Sequence, residues 1–232
     1  MWRLTTTLSC MAGVLLAGGL ARTADEKKDD KKPSVVVDKD KRTITIDCKI
    51  APRKIDDPRY KETYPIEVVA CWPFPKGQKA HETIVTIDCK PSEVHKALED
   101  LGLKAGKPAR LEDEKAEGPE VTVYLEIPGP DDMPKRVPIE KTLVDNKNGK
   151  NPPKLKWHFT GSVMNKLPDK DEKVYGADQT GTLLTFIPVT DETVLQNQLT
   201  KKDEPFLKVD TDKKLLPKEG TAVKLIIEVP AK

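Results

Sequence analysis

The chain has 232 residues, with 40 basic and 38 acidic side chains and a formal net charge of +2. Its charges are interspersed and form no basic stripe, so a nucleic-acid partner is not expected. Charged residues reach 34% and aromatics only 5%, so a core must rest mainly on Val, Ile and Leu.

Met1 to Ala21 reads as a secretory signal peptide. Arg3 is followed by an apolar run from Leu8 to Leu20, too short to span a bilayer, and Gly19-Leu20-Ala21 supplies small residues for cleavage after Ala21. Cys10 lies near the start of that run with Thr7 three residues before it, which does not match a lipid-attachment pattern. The expectation is export to a periplasmic or extracellular location, with no transmembrane segment after signal cleavage. Residues 22–33, from Arg22 to Pro33, are nearly all charged and read as a disordered linker.

Residues 34–230 read as a single β-rich domain, or as two subdomains. Ile44, Ile46, Cys48 and Ile50 alternate with Thr45, Asp47 and Lys49, and the same period recurs at Val121–Ile127 and Val223–Val229. Further strands are predicted at Ser34–Val37, Ile66–Trp72, Thr83–Asp88, Leu155–Thr160 and Thr182–Ile187. Thr45-Ile46-Asp47-Cys48-Lys49 is echoed by Thr86-Ile87-Asp88-Cys89-Lys90. One clear helix is predicted at about 91–101: Pro91 suits a first turn, Val94, Ala97, Leu98 and Leu101 form a stripe, and Gly102 ends it. A shorter helix is predicted near Thr190, with Asp191 and Glu192 at its positive end. The expected class is α+β, with mostly antiparallel sheets.

Several blocks carry a family resemblance. They are Lys79-Ala80-His81-Glu82-Thr83, Lys90-Pro91-Ser92-Glu93-Val94-His95-Lys96-Ala97-Leu98 and Leu101-Gly102-Leu103-Lys104-Ala105-Gly106-Lys107-Pro108. Trp157-His158-Phe159-Thr160-Gly161-Ser162 and Tyr175-Gly176-Ala177-Asp178-Gln179-Thr180-Gly181 complete the set. In order and spacing, over most of the chain beyond the signal, they resemble the YdjY-domain proteins. The resemblance implies an exported bacterial protein and implies no particular activity. Some relatives carry a ferredoxin-like label, from which this sequence departs. Cys48, Cys71 and Cys89 are dispersed, without a Cys-x-x-Cys pair, so a cluster or zinc site made by cysteines alone is not expected. Cys48 and Cys89 share strand faces with isoleucines and read as buried thiols, with a Cys48–Cys89 disulfide as the alternative.

Chemistry-bearing candidates are few. The three histidines are His81, His95 and His158. His81 and Glu82 are the most suggestive pair, but Val85 stands where a His-Glu-x-x-His motif needs its second histidine. His95 borders the apolar stripe of the predicted helix. A catalytic role for His81, Glu82 and His95 is therefore weighed against local hydrogen bonding, and neither a metal nor a cofactor is expected. Ser162 lacks the glycines of a nucleophile elbow, and Ser92 reads as satisfying a free helix N–H. Asp169-Lys170-Asp171 and Asp210-Thr211-Asp212 lack the glycine and glutamate of a calcium loop.

Two functions follow from this reading. The leading one is an exported non-catalytic binding or structural domain of the cell envelope, with a protein or envelope partner. The alternative is a metal-assisted or redox enzyme centred on His81 and Glu82. Convergence separates them: an enzyme gathers these groups around one concavity, whereas a binding module scatters them and exposes a patch such as Trp72-Pro73-Phe74.

Overall fold

Alternating burial organises the longest strands. In a computed structural model, which describes residues 34–110, 112–167 and 171–231, Ile44, Ile46, Cys48 and Ile50 are buried while the residues between them are not. Val121, Val123, Leu125 and Ile127 follow the same rule. The expected signal peptide 1–21 and linker 22–33 lie outside the described residues.

The strands are β1 (Val35–Asp38), β2 (Thr43–Ile50), β3 (Val68–Cys71), β4 (Thr83–Ile87), β5 (Glu120–Pro128), β6 (Pro134–Pro138) and β7 (Leu143–Asp145). They continue with β8 (Trp157–Phe159), β9 (Met164–Lys166), β10 (Lys173–Tyr175), β11 (Thr182–Thr185), β12 (Leu195–Asn197), β13 (Val209–Thr211) and β14 (Ala222–Glu228). Helices α1 (Pro91–Asp100) and α2 (Gly176–Thr180) complete the set, with a few 3-10 turns. The fold is thus β-rich with few helices.

The main sheet runs β1-β2-β14-β5-β8-β12-β11-β3-β4, and β4 returns to pair with β2. The expectation of mostly antiparallel sheets needs correction: this is a closed mixed barrel, with parallel pairs at β3–β4 and β11–β12. Closure depends on one edge of β2 serving two partners. Thr43–Ile46 take β1, and Cys48–Ile50 take β4. Alternation reports which face of a strand is buried, not which strand lies beside it, so it could not reveal this closure. The two echoed pentapeptides meet here, Cys48 opposite Ile87 and Lys49 opposite Thr86.

Trp157, Phe159, Phe186, Ile44, Ile46, Ile84, Ile87 and Leu125 are among the largest fully buried side chains of one continuous core. A satellite cluster of Ile55, Val68, Cys71 and Ala80, flanked by Tyr60 and Phe74, packs apart from it. No helix among the described residues is long and apolar enough to cross a membrane.

Helix α1 forms where its stripe predicts, burying Val94, Ala97 and Leu98, and Gly102 follows at φ +85°. The helix predicted near Thr190 does not form. The Thr190 hydroxyl accepts the Glu192 N–H at 3.0 Å, and the chain then enters β12, whose Leu195–Asn197 pair with β8 instead of continuing a helix. The second helix is α2 instead, closed by Gly181 at φ +72°.

Candidate functional site

Two polar clusters occupy different parts of the barrel. The first is built on the 3-10 turn Ala80–Glu82 that leads into β4. Its adjacent side chains point to different tasks. Glu82 is buried, and Lys79 reaches across to it at 2.8 Å and to Glu67 at 2.9 Å. Burial works against the Lys79 charge, yet its bonds to Glu82 and Glu67 hold its pKa above the ordinary value. Burial, and then the neighbouring Glu82, push the Glu67 carboxyl up.

His81 Nε2 lies 3.2 Å from Glu82 Oε1. The ring stacks on Tyr60 with centroids 4.3 Å apart and meets Tyr64 edge-on at 5.3 Å. Its Nδ1 is buried and has no hydrogen-bond partner among the described residues. Burial lowers the His81 pKa, the Lys79 and Arg53 charges lower it further, and Glu67 opposes them. Arg53, itself only 8% exposed, binds Asp210 at 2.9 Å and donates to the carbonyls of Tyr64 and His81. Asp210 is therefore an arginine partner rather than part of a calcium loop. Asp169 and Lys170 lie outside the described residues.

The second cluster surrounds His95. Its Nδ1 lies 2.7 Å from the Tyr175 hydroxyl, and its Nε2 lies 3.5 Å from Glu99 on the next helical turn. If Nε2 carries the proton toward Glu99, Nδ1 accepts from Tyr175. That hydroxyl also accepts the Ser162 N–H at 3.2 Å, and Ser162 Oγ accepts the Ala177 N–H at 2.9 Å. Ser162 is thus a turn residue tied to α2, and His158 bonds instead to the Gly118 carbonyl. Ser92 also departs from expectation. It does not cap α1; the Asp178 carboxylate does so from α2, accepting the Ser92 N–H at 2.9 Å and the Ser92 hydroxyl. A carboxylate at this end gains from the helix dipole as well.

His81 and His95 take no partner in common, so the structure joins His81 with Glu82 but leaves His95 elsewhere. Among the described residues, no three His, Cys, Asp or Glu side chains are placed to hold a metal ion together. Cys48, Cys71 and Cys89 are buried free thiols, so the Cys48–Cys89 disulfide is not made. Burial raises all three, with Cys71 and Cys89 pushed up to about 12, which suppresses the reactive thiolate. Trp72-Pro73-Phe74 is half-buried rather than a protruding patch. Trp72 Nε1 donates to the Cys89 carbonyl at 2.7 Å, and Phe74 packs edge-on against Tyr60.

Sequence reading missed Lys79, Glu67, Tyr60, Tyr175 and Asp178 as site members. The signal available was proximity in the family blocks: Lys79 adjoins Ala80-His81-Glu82, and Tyr175 and Asp178 share one block. Nothing local marks Glu67 or Tyr60. No curated protein and no solved structure matches the chain. The YdjY domain model matches residues 35–228, which is most of the chain and spans the barrel and both clusters, and the chain belongs to the YdjY-domain family.

Proposed function

We propose that this protein is an exported, non-catalytic domain of the cell envelope that binds a partner or serves a structural role. One observation carries this reading: apart from His81 Nδ1, the ionisable groups of both clusters are spent on joining segments to the barrel. Lys79 bridges two carboxylates, Arg53 ties three segments together, and His95, Tyr175 and Ser162 link α1 to the turn before β9. Groups held this way stabilise geometry; a general base needs a free lone pair within reach of substrate.

One observation favours the alternative, a metal-assisted or redox enzyme centred on His81 and Glu82. His81 Nδ1 is such a lone pair, although it is buried. Metal analysis of the purified protein, before and after dialysis, tests the choice. The expected result is no stoichiometric zinc or iron, with a melting temperature that moves little on chelation, because only ligands of the native state stabilise it by linkage. Stoichiometric metal that survives dialysis and disappears in His81→Ala would overturn the non-catalytic reading. Export is tested separately by sequencing the N-terminus of protein recovered outside the cytoplasm, which should begin near Arg22 or Asp25.

A further inference from the structure

Residues 52–65 cross from the end of β2 toward β3 without regular structure. Two backbone bonds fall inside the segment, Asp57 N–H to the Ile55 carbonyl and Tyr60 N–H to the Asp57 carbonyl. Among the described residues, no backbone-to-backbone bond ties it to the barrel; the ladder contacts resume at Ala51 on one side and Ile66 on the other. A loop of this length inside a packed domain is uncommon, and such loops are often functional. Side chains hold it instead. Arg53 anchors one end, through its guanidinium and through its own N–H on Glu219 Oε1 at 2.8 Å. Ile55 enters the satellite cluster, and Tyr60 and Tyr64 close over His81.

The lock between this segment and the barrel is a histidine with one empty nitrogen. With Nε2–H facing Glu82, Nδ1 carries the lone pair, and nothing among the described residues bonds to it. An acceptor left empty is tolerable; a buried N–H on a cation left empty is far more costly. Among the described residues, no free acceptor faces that new proton. Lys79 and Arg53 are cations, and Glu82 and Glu67 are already engaged by Lys79. Asp210 is engaged by Arg53, and Arg59, paired with Asp57, lies over the Tyr60 ring. Tyr60 and Tyr64 present ring surfaces.

We infer that protonation of His81 releases the 52–65 segment, so that the chain carries an acid-operated lid over His81 and the apolar faces of Val68, Cys71 and Ala80. The inference stands whatever the domain binds. Its sign follows from the environment. Burial and the Lys79 and Arg53 charges hold His81 below the ordinary histidine value while the lid is closed, with Glu67 opposing. In the open lid the ring is hydrated and returns toward about 6.5. The closed form is therefore favoured above that pH and lost as pH falls through the lowered value. Between the two values the opening constant rises by up to about tenfold per pH unit.

Hydrogen exchange of the full chain at pH 7.5 and 5.0, corrected for intrinsic rates, measures this directly. Opening of 52–65 should be greater at pH 5.0 than at pH 7.5, by no more than about tenfold per pH unit, while residues 120–128 of β5 stay protected. His81→Gln should abolish the pH dependence. Glu67→Gln should retain it, which matters because Glu67 also takes up a proton as pH falls. A second measurement needs no variant: NMR titration of the His81 ring should share its midpoint with lid opening. A pH-insensitive wild type, persistence of the effect in His81→Gln, its loss in Glu67→Gln, or two separate midpoints would each overturn the inference.

Discussion

At the scale of single residues, two glycines separate conformational strain from steric overlap. Gly102 and Gly181 both end helices with positive φ, at +85° and +72°. A Cβ at Gly102 would meet nothing within 4 Å, whereas one at Gly181 would lie 2.6 Å from the Trp72 ring. Gly102→Ala should therefore cost roughly 1 kcal/mol, from the left-handed backbone alone. Gly181→Ala adds overlap with a half-buried indole that is pinned by its bond to the Cys89 carbonyl, so its total should reach roughly 2–4 kcal/mol. Paired thermal melts check the order, and equal losses would contradict the packing described for Trp72. The sequence marked Gly102 as a helix stop because a clear stripe preceded it. It did not mark Gly181, because α2 is too short to show a period and Trp72, distant in the chain, is brought beside it by the β3–β11 pairing.

At the scale of elements, α1 and α2 stabilise each other through a charge. Asp178 accepts the Ser92 N–H and hydroxyl at the first turn of α1. Asp178→Ala removes both bonds and a favourable carboxylate at the helix N-terminus, and should cost roughly 1–2 kcal/mol. Ser92→Ala keeps the N–H bond and should cost less. Melting temperatures of the two variants check this, and a greater loss in Ser92→Ala would show that the hydroxyl rather than the carboxylate is the cap. The existence of α1 was legible because Val94, Ala97, Leu98 and Leu101 form a stripe. Its capping partner was not, because Asp178 is distant in sequence and the local serine offered a plausible substitute. The helix expected near Thr190 failed for a related reason: the residues that would continue it, Leu195–Asn197, are taken by pairing with the distant β8, which outweighs a favourable dipole arrangement.

At the scale of the whole molecule, closure makes the C-terminal strand indispensable. β14 pairs with β2 along Ala222–Glu228 and with β5 along Lys224–Glu228, so it sits between them in the closed ring. Deleting residues 220–232 would leave β2 and β5 with unpaired backbone N–H and C=O groups and would remove the buried Val223, Leu225, Ile226 and Ile227 from the core. The truncated chain should lose its cooperative thermal transition by circular dichroism; a truncated chain melting cooperatively within a few degrees of the full one would refute this dependence. Because these pairings are so distant in sequence, folding of the intact barrel must also meet a large loop-closure cost before closure stabilises it.

The features legible in the bare chain are local: the alternating strands at Ile44–Ile50, Val121–Ile127 and Val223–Val229, the helix at 91–101, the burial of Cys48 and Cys89, and the blocks that carry the family. Each depends on neighbours within a few residues, where periodicity and turn chemistry act. The tertiary structure alone decided that the sheet closes through β2 and β4, that two strand pairs run parallel, and that Lys79 and Arg53 clasp segments beside His81. It also decided that His95 belongs to a different cluster. These outcomes rest on pairings between residues far apart in the chain, and alternation fixes which way a side chain faces without saying what it will meet.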